Sequence, residues 1–220
     1  FSNIAQDGIK LDNKNGAIDA QIGGAMLSEG NILDVGFRGV QIQTGADPIL
    51  TRTNNILIQN NVITSANEGI QVRNINDLAN LSILDNVLNR AISASVSDLI
   101  DVQTENTASV QARINRNEIN NIDGSDGIKV RGFDGATLTM EIMNNDIEGP
   151  VEGFDFDVYQ TTTATDVTSL NVSVLNNVLS GITGVAMDTR NTTETTSVCL
   201  DLQGNSEVAN YVVSVLDEFL

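Results

Sequence analysis

Five charged residues in the second half of the chain have the types and spacing that polysaccharide-cleaving chemistry requires. They are Lys129, Arg131, Asp155, Asp157 and Asp188, and they occupy outward-facing positions of three consecutive repeats. A polysaccharide lyase needs a strong base to remove a proton next to a carboxylate, with the charge neutralised by cations or Ca²⁺. Lys129 or Arg131 would be that base, and Asp155 and Asp157 would be the metal ligands.

The same cluster also offers a hydrolytic alternative. A glycoside hydrolase needs two carboxylates about 5–10 Å apart. Asp157 and Asp188, on neighbouring repeats, would lie within that range. A charged row on an exposed strand face is also ordinary solvated surface, so both enzymatic interpretations remain hypotheses.

A second group of carboxylates suggests a metal ion. Asp123 and Asp126 lie in the segment DGSDG, where a turn would bring two carboxylates together, and Ca²⁺ prefers oxygen ligands from such loops. The segment lacks the spacing of an EF-hand, and a plain turn explains it as well. We expect no obligatory cofactor, with Ca²⁺ as the ion that these carboxylates would take.

Several absences from the sequence count against an enzyme. The chain has no His, so neither a Ser-His-Asp set nor a base for the single Cys199 is available. It has six Phe, two Tyr and no Trp, which is few for stacking against sugar rings. The alternation of its segment turns Phe154 and Phe156 towards the core. These features favour a protein without catalytic activity.

The charged residues are positioned by a repeated apolar-x-apolar triplet, which Gly precedes in all copies except the one after Leu99. Its copies begin 31, 30, 30, 28, 26 and 31 residues apart, at Ile9, Val40, Ile70, Ile100, Ile128, Phe154 and Val185. Such alternation predicts a strand with one buried face. Because the period is too long for hairpins, we expect the strands to stack in parallel, coil on coil.

An asparagine recurs in phase with the triplet. Its copies are 30, 25, 31, 28, 32 and 28 residues apart, at Asn31, Asn61, Asn86, Asn117, Asn145, Asn177 and Asn205. Asparagine tolerates left-handed backbone geometry, and its amide both donates and accepts hydrogen bonds. The row therefore predicts a corner between strands and a ladder of stacked side-chain amides.

The two motifs, N-x-[IVL] and G-[IV]-x-[VI], resemble those of the right-handed parallel β-helix proteins, the pectin-lyase-like superfamily. The resemblance extends over almost the whole chain, from about Asp7 to Ser206. It implies an all-β, right-handed parallel solenoid of about seven coils with an internal asparagine ladder. The superfamily contains lyases, glycosidases, esterases, epimerases, phage tailspikes and adhesins, so the fold leaves the function open.

The repeat also predicts how the chain is divided. Residues 1–206 would form the coils, interrupted by loops at 44–55, 90–97 and 159–169. Residues 207–220 leave the period and would form a last strand, a capping helix or the lead into a following domain. Cys199 would face outward or into a neighbouring corner. The opening FSNIAQDG suggests a fragment or a processed product.

Charge narrows the classes of partner. The net charge is −18, from 11 basic and 29 acidic residues, which excludes a general nucleic-acid binder because neutralising phosphates requires a basic surface. No apolar run approaches the roughly 18 residues that would indicate a transmembrane helix. Polysaccharides or other cell-surface ligands remain as partners, and the sequence does not indicate an oligomeric state.

These observations favour a non-catalytic module of a secreted or cell-surface bacterial protein. It would be a stalk, passenger or adhesin segment that presents loops for ligand or surface binding along a rigid rod. The first alternative is a polysaccharide lyase or glycosidase that acts on an acidic polysaccharide. The second is a phage-fibre or tailspike-like module, which would trimerise along the rod.

Overall fold

The structure, a computed structural model, describes most of the chain. The described residues are 6–13, 16–45, 52–91, 97–121, 124–159, 167–184, 187–191, 196–206 and 211–215. For 188–191 and 211–215 the description covers the backbone only. The central parts of all three predicted loops, and much of the segment 207–220, therefore lie outside the described residues.

The described residues form three parallel sheets, with strands numbered in chain order. The eight-stranded sheet, here the triplet sheet, consists of β1 (Ile9–Asn13), β4 (Val40–Thr44), β7 (Ile70–Ile75), β10 (Ile100–Glu105), β13 (Asp126–Phe133), β16 (Glu152–Tyr159), β19 (Met187–Asn191) and β21 (Tyr211–Val215). The seven-stranded sheet consists of β2 (Asp19–Ile22), β5 (Thr53–Gln59), β8 (Leu78–Leu84), β11 (Ser109–Asn115), β14 (Thr137–Met143), β17 (Thr168–Leu175) and β20 (Thr196–Gln203). The six-stranded sheet consists of β3 (Ile32–Val35), β6 (Val62–Ser65), β9 (Val87–Arg90), β12 (Glu118–Asn120), β15 (Asp146–Glu148) and β18 (Val178–Ser180).

From β1 to β17, each strand pairs with the strand three places further along the chain, so the chain winds as a β-solenoid. Six consecutive coils each contribute one strand to each sheet, and one turn of 3-10 helix at Leu27–Glu29 lies within the first coil. The triplets align residue for residue, for example Ile70 with Ile100 and Ile100 with Ile128. The predicted all-β fold of parallel, stacked coils is confirmed.

The register of the seventh triplet differs from the prediction. Phe154 pairs with Met187, so the strand begins two residues later than Val185, the predicted start. Val185 and Ala186 lie outside the described residues. Gly184 followed by Val-Ala-Met imitates the motif, but the pairing of β16 with β19 sets the true alignment.

The core is a column of apolar side chains inside the coils. Both apolar residues of each triplet from β4 to β16 are buried, including Phe154 and Phe156, which are fully buried as predicted. Burying side chains of this size stabilises a fold by about 1.5–3 kcal/mol each. Their stacking makes the interior continuous from coil to coil.

The predicted asparagine ladder is present at the corner between the seven-stranded and six-stranded sheets. In each step the backbone N–H and Nδ2 of one asparagine donate to Oδ1 of the asparagine one coil later, at 2.9–3.1 Å. The five internal members are buried. The residue before each internal member has φ of 54–56°, at Asn60, Asp85, Arg116, Asn144 and Asn176. This left-handed residue turns the chain into the next strand.

The glycine before each triplet has a steric cause. A Cβ at Gly39 would lie 2.5 Å from the carbonyl oxygen of Gly69, and one at Gly69 would lie 2.8 Å from that of Leu99. Gly127 has the same relationship to Gly153, at 2.8 Å. The coils therefore approach one another closely at this corner, where most of the repeats carry no side chain.

Three further features bear on the predictions. Cys199 is exposed, which is the first of its two predicted placements. Strand β21 pairs with β19, so the triplet sheet continues beyond residue 206. No helix among the described residues has the length and apolar character needed to cross a bilayer.

Candidate functional site

The predicted charged cluster lies on the outer face of the triplet sheet, centred on Lys129. In the pairing of β13 with β16, Lys129 is opposite Asp155 and Arg131 is opposite Asp157. Nζ of Lys129 lies 3.1 Å from Oδ2 of Asp126 and 3.7 Å from Oδ2 of Asp157, and it donates a hydrogen bond to Asp155. One ammonium group therefore forms ion pairs with three carboxylates.

These carboxylates are removed from solvent although they lie on an outward face. The side chains of Asp126, Asp155 and Asp157 are 3%, 1% and 2% exposed, and that of Lys129 is 17% exposed. Buried charges are costly unless they are paired and hydrogen-bonded. The contacts with Lys129 therefore offset the cost of burying three acidic groups at this position.

Arg131 belongs to a different pair from the one its position suggests. Its guanidinium donates through Nε and Nη2 to the two carboxylate oxygens of Asp101, with Nε 3.3 Å from Oδ1. Asp101 lies one coil earlier, on β10, and is fully buried. Its Oδ2 also accepts a hydrogen bond from Nε2 of Gln71 at 3.1 Å. Arg131 is therefore held towards the earlier coil.

A second row of acidic residues borders the cluster. Asp98, Asp126 and Glu152 each lie two residues before a triplet, and Asp126 and Glu152 are register partners. Burial, followed by the charge of Asp126 and a hydrogen bond with it, raises the pKa of Asp98 to about 8. At neutral pH the Asp98 carboxyl is therefore mostly protonated.

Two further groups at the centre of the cluster have shifted pKa values. Burial raises the pKa of Asp155 to about 6, against the opposing hydrogen bond from Lys129 and with a further increase from the charge of Asp157. Burial alone would lower the pKa of Lys129, but the hydrogen bond to Asp155 and the charge of Asp126 outweigh it and raise that pKa. Lys129 therefore stays an ammonium ion.

This arrangement limits the chemistry of the predicted residues. A lysine that acts as a general base must lose its proton near the working pH, and the raised pKa of Lys129 has the opposite effect. Asp155 and Asp157 offer almost no surface to a substrate. Among these groups, Asp98 combines partial exposure with a proton to donate at neutral pH.

The structure brings together three of the five predicted residues, Lys129, Asp155 and Asp157, and places Arg131 beside them. Asp188 is displaced from its predicted row: its backbone pairs with Asp155, and Arg190 takes the place opposite Asp157. This correction follows from the two-residue shift of the seventh triplet. The side chain of Asp188 lies outside the description.

The structure also differs from the prediction of a calcium-binding turn at Asp123 and Asp126. Asp126 is the first residue of β13 and binds Lys129, whereas Asp123 lies outside the described residues. The carboxylates of Asp126, Glu152 and Asp155 approach one another within 4.8 Å, which is close enough to hold a cation. The ammonium of Lys129 already contacts two of them, so a divalent ion would compete with it.

Sequence reasoning missed Asp98 and Glu152 and passed over Asp101. A signal for the first two was present, because the position two residues before the triplet reads Asp7, Arg38, Glu68, Asp98, Asp126 and Glu152. Arg38 separates the first acids of this row, with Nε 3.0 Å from Oε2 of Glu68. No cation follows in the row up to Glu152, and Lys129 from the neighbouring row contacts Asp126 and opposes by its charge the increase that burial causes in the pKa of Asp98.

Comparison of the sequence with protein-family models and with curated proteins gives no match. The parallel β-solenoid with stacked coils is therefore established by the structure, without a family assignment.

Proposed function

We propose that this chain is a non-catalytic β-solenoid module of a secreted or cell-surface protein, with a rigid rod whose outer faces bind ligands. The observation that carries the proposal is the state of Lys129. Its ammonium is held by three carboxylates that are at most 3% exposed, so the predicted base is a cation at the centre of a closed network. This network joins Lys129 on β13 to Asp155 and Asp157 on β16, the corresponding strand of the next coil.

The overall charge supports an exposed location. A net charge of −18 on 220 residues keeps a protein soluble and discourages association with anionic polymers. A solenoid with parallel, in-register coils is stiff because continuous hydrogen-bonded sheets join each coil to its neighbours. Both properties suit a spacer or adhesion segment.

The test is a search for cleavage activity. The purified chain is incubated with polygalacturonate, alginate, xylan and chitosan, with and without Ca²⁺, and new reducing ends and unsaturated uronates are measured. We expect none above a heat-denatured control. Cleavage that is lost in a folded Lys129→Ala or Asp157→Asn variant would overturn the proposal.

One observation favours a second candidate function, a polysaccharide-cleaving enzyme. Asp98 is partly exposed and, with a pKa of about 8, holds the proton that a general acid needs. In that case Asp98→Asn would abolish cleavage of one of the polymers, whereas Asp146→Asn, an exposed acid on the six-stranded sheet, would not. The burial of the neighbouring carboxylates makes this the weaker candidate.

A further inference from the structure

A shallow groove lies on the outer face of the seven-stranded sheet, away from the Lys129 cluster. Its central part, about 400 Å³, crosses strands β8, β11, β14 and β17 between two rows of outward side chains. A second part, about 280 Å³, continues it towards β2 and β5 and shares Asn80 and Ser82 with the first. The groove therefore runs along the stacking direction of the coils.

The first row of the groove consists of uncharged hydrogen-bonding side chains. Asn80, Gln111 and Thr139 line the groove, and Asn171 continues their row on the next strand; the four are successive register partners and are exposed. Strand spacing sets them about 4.8 Å apart. Within the part of the chain that the structure describes, the side chains of Gln111, Thr139 and Asn171 bond to no other protein group, which leaves their polar atoms available to a ligand.

The second row carries no net charge in the same stretch. It reads Ser82, Arg113, Glu141 and Ser173, and Nε of Arg113 lies 3.0 Å from Oε1 of Glu141. On a chain with net charge −18, this stretch is locally neutral. It offers no unpaired cation to an acidic polymer, and the rest of the molecule repels one.

Other classes of partner fit the groove less well. A peptide strand cannot extend the sheet here, because β11 and β14 already pair with neighbours on both sides. Both rows of side chains are polar, which disfavours a partner with an apolar surface. A linear polymer with uncharged hydroxyl groups along its length matches the repeated amides and hydroxyls, since each coil offers it the same kind of hydrogen bond.

We infer that this groove binds an extended, uncharged polysaccharide that lies across strands β8, β11, β14 and β17. The inference rests on the proposed role as a ligand-binding module and names the class of ligand and its place. Each exposed hydrogen bond contributes little because it replaces one with water, and affinity comes from its repetition along the chain.

Affinity electrophoresis in native gels tests this inference. The gels contain hydroxyethyl cellulose, galactomannan or dextran, with polygalacturonate as the acidic control. We expect retardation by at least one uncharged polymer and none by polygalacturonate. The variant Gln111→Ala/Thr139→Ala should bind that polymer about tenfold more weakly, because it loses two hydrogen bonds from side chains that line the groove.

The matched control is Asn89→Ala/Asn120→Ala on the six-stranded sheet, which removes two amides of another face and should leave retardation unchanged. Unaltered far-ultraviolet circular dichroism verifies that each variant is folded. The inference would be overturned if none of the three uncharged polymers slowed the migration of the chain. It would also be overturned if polygalacturonate slowed the chain as much as an uncharged polymer does, or if the groove variant were slowed as much as the unchanged chain. These gels measure binding only. The non-catalytic proposal is tested by the separate cleavage assay, so either proposal can fail without the other.

Discussion

Oδ1 of Asn145 accepts two hydrogen bonds from Asn117, one from its backbone N–H and one from Nδ2, both at 3.0 Å. Nδ2 of Asn145 in turn donates to Oδ1 of Asn177 at 2.9 Å and to the carbonyl oxygen of Ile114 at 3.0 Å. One buried amide thus links three successive coils. The ladder satisfies, at each corner, polar groups that the coil itself leaves unpaired.

Replacing Asn145 with Ala should therefore destabilise the fold strongly. Two N–H donors of Asn117 and the carbonyl of Ile114 would lose partners in the interior, and each such loss costs about 1–3 kcal/mol. We expect the free energy of unfolding, measured with urea, to fall by at least about 3 kcal/mol. Asn80→Ala, which removes an exposed amide bonded to Asn55, should cost less than about 1 kcal/mol. If Asn145→Ala and Asn80→Ala lowered the free energy of unfolding equally, the buried ladder would not stabilise the fold more than an exposed amide does.

Removal of the central cation gives a second prediction. Lys129→Met should cost about 3–5 kcal/mol at pH 8, because it leaves buried carboxylates without their counter-charge. Arg113→Met breaks the exposed pair with Glu141, whose side chains are 59% and 38% exposed, and should cost less than about 1 kcal/mol. Urea unfolding measures both.

The origin of the Lys129 effect can be separated from packing. Adding Asp155→Asn to Lys129→Met removes one of the stranded charges and should recover part of the lost stability. A double variant that is less stable than Lys129→Met alone would show that the methionine disturbs packing instead.

Acidification should stabilise the protein. Burial raises the pKa of Asp98 from 3.8 to about 8 and that of Asp155 from 3.8 to about 6, so the folded state holds these protons more tightly than the unfolded state. Their contribution to stability is complete below about pH 4 and is lost as the pH rises through the folded-state values. The urea midpoint should therefore be higher at pH 5 than at pH 8.5.

Asp98→Asn should flatten this pH dependence, because it removes the group with the larger shift. Asp146→Asn removes one exposed charge from the six-stranded sheet and serves to separate the general effect of net charge. If the two variants respond to pH alike, the dependence arises from overall repulsion and the assignment to Asp98 is wrong.

The glycine corner gives a steric prediction. A Cβ at Gly127 would lie 2.6 Å from Cγ2 of Ile147 and 2.8 Å from the carbonyl oxygen of Gly153. Gly127→Ala should reduce the free energy of unfolding by about 1–3 kcal/mol, as overpacking does. Ser109→Ala, at a half-buried position of the seven-stranded sheet, is the control and should change it by less than about 0.5 kcal/mol. An unchanged free energy of unfolding for Gly127→Ala would mean that the neighbouring atoms move aside and that the close approach is not a steric constraint.

Much of the fold follows from the sequence because strand pairing reproduces the period. Once Ile100 and Ile128 are recognised as copies, their pairing and the proximity of Lys129 to residues of the next coil follow directly. The internal asparagines are equally predictable, since their spacing allows one contact per coil. The exception, Val185, shows that a short motif recurs by chance and that pairing with the neighbouring strand decides the register.

The candidate site was less predictable because spacing does not give the direction of a long side chain. Arg131 lies between Gln103 and Asp157 along its row, yet its guanidinium binds Asp101, which is the partner of Lys129 one coil back. The burial of Asp155 is equally absent from the pattern, which places it on an outward face. Exposure depends on what surrounds a position, and alternation along a strand records only which side it faces.

The repeated corner also affects how the length of this protein can vary. At each internal corner a residue with left-handed φ precedes a ladder asparagine, and the bonds to the next coil are the same at every step. Removing or duplicating one unit of about 25–32 residues would join two surfaces that already match. Recombination between the repeats of its gene can therefore shorten or lengthen the rod in whole coils, with each junction rebuilt from existing contacts.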